Sequence, residues 1–196
     1  WADRLSVPLL IIDREAKLNS PEVYLVRSDE AQGMELAIDH LYSRGCRKTG
    51  CIIHGKPGTG NADIRHEAIC RILKKKGLPA NDALIHFGSD EEYLEIIGKL
   101  LRHRIDSLFC PGGSGGILAA YALSLFGRQI PEDISLIASE QTFFSRYGTP
   151  PQTTITPDYK AMASSVADVI ESRIGGQKFP PRTVLPYLLI QRESVR

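Results

Sequence analysis

The sequence of 196 residues is poor in several things, among them four cysteines, one tryptophan and two methionines. No two cysteines form a C-x-x-C pair, which sets aside a zinc site of the usual ligand spacing. The five histidines (His40, His54, His66, His86 and His103) show no metal spacing, and none is assigned a ligand role. No apolar run approaches the roughly 18 residues a membrane-spanning helix needs, and no secretory signal pattern is present. An excess of one charge is also missing. Lys and Arg number 24 against 23 Asp and Glu, a net charge of +1, so no global attraction to nucleic acid is expected. There is no internal repeat and no low-complexity tract. No cofactor and no membrane partner are expected.

What remains is ordinary for a globular protein with a real core: 42% hydrophobic and 24% charged residues. Cys51 and Cys110 sit inside apolar runs, which predicts buried, reduced thiols and a cytoplasmic setting. The first residue is Trp1 rather than Met, from which we expect a segment to precede it.

The dominant pattern is alternation. "VPLLII" (7–12), "EVYLV" (22–26), "TGCIIH" (49–54), "ALIHF" (83–87), "DSLFC" (106–110), "ISLIA" (134–138), "TTIT" (153–156) and "TVLPYLLI" (183–190) read as strands. Between most of them apolar residues recur at helical spacing, as in Met34, Ala37, Ile38 and Leu41, or Tyr93, Ile96, Ile97 and Leu100. Near-continuous apolar strands alternating with amphipathic helices mean an α/β fold, a doubly wound parallel sheet covered on both faces. The carboxyl ends of such strands build the ligand crevice. A polar loop is expected between "ISLIA" and "TTIT".

"PGGSGG" (111–116) lies on that ligand-facing edge, directly after "DSLFC". A dinucleotide fingerprint framed on Gly113 and Gly115 fails at Leu118, where a small residue is needed. "GCIIHGKP" (50–57) fails as a P-loop, since it ends in Pro57 and its middle is strand. Gly112-Gly113-Ser114-Gly115-Gly116 matches a nucleophile elbow literally, but no histidine follows His103, so the triad order cannot be completed. No catalytic residue is assigned, and the chain is not expected to be an enzyme. The glycines read first as a tight strand-to-helix turn, whose helix N-terminus can still offer N–H groups to a ligand.

The order of these motifs resembles the lactose-repressor/galactose-repressor family of bacterial transcription regulators, in its effector-binding part. The resemblance rests on "VPLLIIDR" (7–14), "VRSDEAQGMELAIDHLYSRGCRKTGCIIHG" (26–55), "NADIRHEAI" (61–69), "IPEDISLIASEQTFFSRYGTPPQTTI" (130–155) and "LLIQRESV" (188–195). It implies a type I periplasmic-binding-protein-like fold of two subdomains, with a small effector, a sugar or related metabolite, in the cleft between them. It also implies a homodimer, and DNA as a partner through a helix-turn-helix segment that this chain lacks. The expected division is 1–27 with 157–178 as part of the first subdomain, and 28–156 with 179–196 as a nearly complete second one.

The resemblance also points to effector-binding residues. Arg65 matches an effector-contacting arginine and Glu140 an effector-binding aspartate, with a plain ion pair and a turn-capping carboxylate as the other readings. Neither is expected to hold the core. Asn61 and Ser139 lie beside them, and Phe143 or Phe144 could stack on a sugar face or only anchor a loop. Asp29 reads as a cap for the helix that follows it. Gly112 and Gly113 stand where the family carries an Asn-Asp pair, and Ser114 follows. Other classes are a solute-binding protein of a transport system and an NAD-dependent oxidoreductase.

Overall fold

A computed structural model of the protein describes residues 8–14 and 23–196. Val7 and Glu22, at the heads of the first two expected strands, lie outside the described residues. The elements run β1 (Leu9–Ile12), β2 (Val23–Ser28), α1 (Glu30–Ser43), β3 (Thr49–His54), α2 (Asn61–Lys75), β4 (Ile85–Gly88) and α3 (Tyr93–Arg102). They continue as β5 (Ser107–Cys110), α4 (Gly115–Leu125), β6 (Ser135–Ser139), α5 (Phe143–Tyr147), β7 (Thr153–Pro157), α6 (Tyr159–Ile174), β8 (Arg182–Leu185) and β9 (Tyr187–Ile190).

The chain divides into two compact units, one of residues 1–29 and 157–187, the other of 30–156 and 188–196. In the first unit β1, β2 and β8 form a parallel sheet in the order β1-β2-β8. Tyr24 and Val26 on β2 pack there with Met162 and Val169 of α6. Asp158 caps α6, its carboxylate accepting the Ala161 N–H at 2.9 Å.

The second unit holds a six-stranded sheet in the order β4-β3-β5-β6-β7-β9. Its central strands β3, β5 and β6 are buried almost throughout, which explains their unbroken apolar character. Side chains alternate across the sheet. Ile52, Leu108, Cys110, Leu136 and Ala138 pack with Tyr93, Ile97 and Leu100 of α3 and with Ala119 and Leu123 of α4. The alternate strand residues Cys51, Ile53, Phe109 and Ile137 are fully buried as well. Burial pushes the Cys51 and Cys110 thiols well above their ordinary range, so both are inert free thiols, as the apolar runs around them predict.

Two expectations about the chain's course are corrected. "TVLPYLLI" is not one strand. Pro186 has no N–H to give a ladder, and the chain breaks there. β8 pairs with β2 in the first unit, Leu25 opposite Arg182 through Ser28 opposite Leu185, while β9 joins the edge of the six-stranded sheet. Residues 179–187 therefore go with the first unit and not the second. The expected polar loop after β6 contains a short helix, α5.

Candidate functional site

In the six-stranded sheet β3 is followed by β4 on one side, whereas β5, β6 and β7 build out on the other. The connections therefore diverge between β3 and β5, and the loops leaving the carboxyl ends of those two strands splay apart. Such a switch point is where an open α/β sheet has its ligand crevice. His54 ends β3, and Pro111, Gly112 and Gly113 follow β5.

Gly112 and Gly113 have φ of 90° and 55°, the left-handed region that a residue with a Cβ enters at a cost. Space excludes a side chain as well. A Cβ on Gly112 would collide with Nη1 of Arg65, and one on Gly113 would lie 2.7 Å from Cγ and Nδ1 of His54. The room that side chains at 112 and 113 would fill is thus taken by a guanidinium and an imidazole. The Gly112 N–H donates to Oγ of Ser139 at 2.7 Å, and Nε2 of Gln141 donates to the Gly113 carbonyl at 2.6 Å. These bonds tie the end of β5 to the end of β6.

The loop after β4 completes the edge. Ser89 opens it with a reciprocal cap, its N–H and Oγ donating to Glu92 at 2.8 and 2.9 Å, which holds the Glu92 carboxyl below its usual range. The turn presents Asp90, whose Oδ2 accepts from Oγ of Ser114 at 2.8 Å. Its Oδ1 lies 3.4 Å from Nδ1 of His54.

Arg65 and Glu140 do reach this edge, but each is engaged in an ion pair. Arg65 grips Glu30 with two nitrogens, Nε to Oε2 at 2.6 Å and Nη2 to Oε1 at 2.9 Å, and Asn61 donates to the same carboxylate at 3.1 Å. Glu30 is 2% exposed. Glu140 accepts from Arg192 at 2.9 and 3.2 Å and from the Thr154 hydroxyl, while Arg192 also donates to the Gln152 carbonyl at 2.6 Å. The expectation that neither holds the core is therefore corrected. Both lock buried structure, because a carboxylate withdrawn from water must be paired.

Phe143 is 65% exposed, its ring 5.6 Å from that of Phe144 and 5.2 Å from that of Tyr147. It belongs to an outward aromatic cluster on α5. Asp29 donates its N–H to the Leu185 carbonyl at 2.7 Å, a bond inside the first unit. Sequence reasoning missed His54, Asp90, Gln141, Glu30 and Arg192. Only strand order reveals the first three: β3 and β5 are neighbours in the sheet, so the fold, not a local motif, brings His54 against Gly113. Among the described residues no cluster of three or more potential metal ligands occurs.

Comparison with known proteins agrees with this architecture. The family of periplasmic binding protein-like domains matches residues 38–195. The HTH-type transcriptional regulator DegA of Bacillus subtilis (strain 168) is 28% identical over 193 residues, covering 96% of this chain and 56% of its own length. The HTH-type transcriptional repressor PurR of Haemophilus influenzae (strain PittEE) is 26% identical over 200 residues, covering 97% and 58%. The chain thus spans a little over half the length of these curated relatives. Among solved structures, the transcriptional regulator CelR in complex with cellobiose superposes with a TM-score of 0.85 at 24% identity, over 98% of this chain and 60% of that one.

Proposed function

Because this chain belongs to the periplasmic binding protein-like family, and within it to the effector-binding domains of LacI/GalR regulators, we propose that it senses a small polar metabolite, a sugar or a close relative. The observation that carries this reading is the gathering of polar groups at the switch point of the six-stranded sheet. His54, Asp90, Ser114, Ser139, Gln141 and the Gly112–Gly113 backbone converge there from four strand ends, those of β3, β4, β5 and β6. A strand edge that gathers a few well-placed polar groups suits a small hydroxylated ligand. The cellobiose complex of CelR supports the sugar class.

In this reading Arg65, Asn61 and Glu140 contribute what their ion pairs leave over. A paired carboxylate retains lone pairs, and a guanidinium donates from several N–H groups. Phe143 contributes from the rim. The chain is a sensor and not an enzyme, DNA contact in the whole protein falls to a segment outside these residues, and the setting is the cytoplasm. A homodimer is supported by Tyr121 and Leu125 on α4, exposed by 62% and 58%.

A thermal-shift screen over neutral sugars, sugar phosphates, sugar acids and purines tests the reading. At least one class should raise the melting temperature in a saturable way, and a flat response across the whole set would overturn it.

A further inference from the structure

His54 is the least explained polar group of this edge. Its Nδ1 is buried and makes no hydrogen bond of good geometry among the described residues. Yet the ring as a whole is 40% exposed. The accessible part is therefore the Cδ2–Nε2 edge, away from Nδ1. The ring rests on Gly113, where even a methyl group could not fit beside it.

The neighbour of the buried nitrogen sets the ring's chemistry. Nδ1 faces Oδ1 of Asp90 at 3.4 Å, and the other oxygen of that carboxylate is taken by Ser114. A lone pair on Nδ1 would point at a carboxylate and be repelled, whereas an N–H there is attracted. In a neutral imidazole one nitrogen carries the proton and the other a lone pair, and the partner of the first decides which is which. With Nδ1 protonated, Nε2 is left as an acceptor on the accessible edge.

Most other groups around the ring are already engaged. Arg65 and Glu140 are each held in a two-pronged ion pair, Gln141 donates to Gly113, and Ser139 accepts from Gly112. Nε2 of His54 sits at the switch point with none of these ties.

We propose that His54, oriented by Asp90 and admitted by Gly113, is the hydrogen-bond acceptor of this site and reads a hydroxyl group of the ligand. The inference rests on the ligand-sensing reading above and names the residue that sets its selectivity. A ligand hydroxyl donates to Nε2, and an analogue lacking that hydroxyl leaves the lone pair unmatched. Asp90 is a positioning residue, acting through the imidazole.

Two measurements on the whole chain test it. In the first, nitrogen-15 spectra of histidine-labelled, ligand-free protein report which nitrogen of His54 is protonated, the His54→Ala spectrum providing the assignment. We expect Nδ1–H in the wild type and a shift toward Nε2–H in Asp90→Asn. Nε2–H in the wild type, or no change in Asp90→Asn, would overturn the inference.

In the second, cellobiose, D-ribose and the sugars scoring in the thermal-shift screen are titrated calorimetrically into wild type, His54→Ala and His54→Gln. We expect Kd to rise about tenfold in His54→Ala. His54→Gln, whose amide oxygen can accept, should recover part of the loss, and a deoxy analogue of the bound sugar should bind His54→Ala and wild type alike. Binding with unchanged Kd in His54→Ala would remove His54 from the site while leaving the sensor reading intact. No binding of any probe to the wild type would take down both.

Discussion

Gly113 is the residue at which conformation and space make the same demand. Its φ of 55° disfavours any side chain, at a cost of about 1–2 kcal/mol. The His54 ring makes the cost larger, since a methyl group would sit 2.7 Å from two of its atoms. Gly113→Ala should therefore lose stability in urea unfolding, and His54→Ala in the same chain should restore part of it. The coupling expected in such a double-mutant cycle is about 0.5–1 kcal/mol or more, and strict additivity would show that the ring and the glycine do not meet. Arg65→Ala should behave differently. It leaves the Glu30 carboxylate, 2% exposed, without its guanidinium, at an expected cost of about 3–5 kcal/mol by chemical denaturation. A drop of less than 1 kcal/mol would place Glu30 in contact with water instead. From the sequence, Arg65 and Glu140 were legible as residues near the carboxyl ends of the strands but not as partners of Glu30 and Arg192. Those pairs join positions 35 and 52 residues apart, and no local pattern marks them.

The elements divide by how much of their cause is local. The strands of the six-stranded sheet and helices α1 to α4 could be read directly, because burial on both faces or on one stripe writes itself as apolar spacing. α5 could not, since a helix of 5 residues is barely longer than one turn and shows no period. The division of "TVLPYLLI" between two sheets was equally hidden: Pro186 announces a break but not where either half pairs. Within α1, His40 sits buried in the last turn. Burial, and secondarily Arg44, lowers its pKa from the ordinary 6.5. The unfolded chain thus takes up the proton first, so the stability that neutral His40 allows is complete above about pH 6.5 and declines as pH falls toward the lower folded value. His40→Gln should flatten that acid-side decline in melting temperature between pH 6.5 and 5, and an unchanged slope would assign the decline to other groups. On α4, Leu125→Glu tests the outward face. If the proposed dimer forms through that face, sedimentation should show a shift toward monomer with the melting temperature of the dilute protein little changed, and an unaltered sedimentation profile would overturn that assignment.

At the scale of the whole molecule the second unit is where the proposed ligand edge and stability meet. A ligand present at 100 times its Kd should add about 2.7 kcal/mol of stability, and His54→Ala, with its Kd raised about tenfold, should lose about half of that gain at the same ligand concentration. The same unit is discontinuous along the chain. It is interrupted after residue 156 and resumes only at 188, where β9, Arg192 and Ser194 return to it. Ser194 receives the Leu136 N–H on its carbonyl at 2.7 Å and holds the Thr153 N–H with its hydroxyl at 2.8 Å, closing the lower edge of the sheet. During synthesis the ribosome delivers Glu140 some fifty residues before the Arg192 that neutralises it, as the numbering fixes. A nascent chain paused in that interval carries a carboxylate with no place to be buried and a β6–β7 edge with unclaimed donors. The sheet then has to wait, partly formed and open to chaperones, until the last strand has left the exit tunnel.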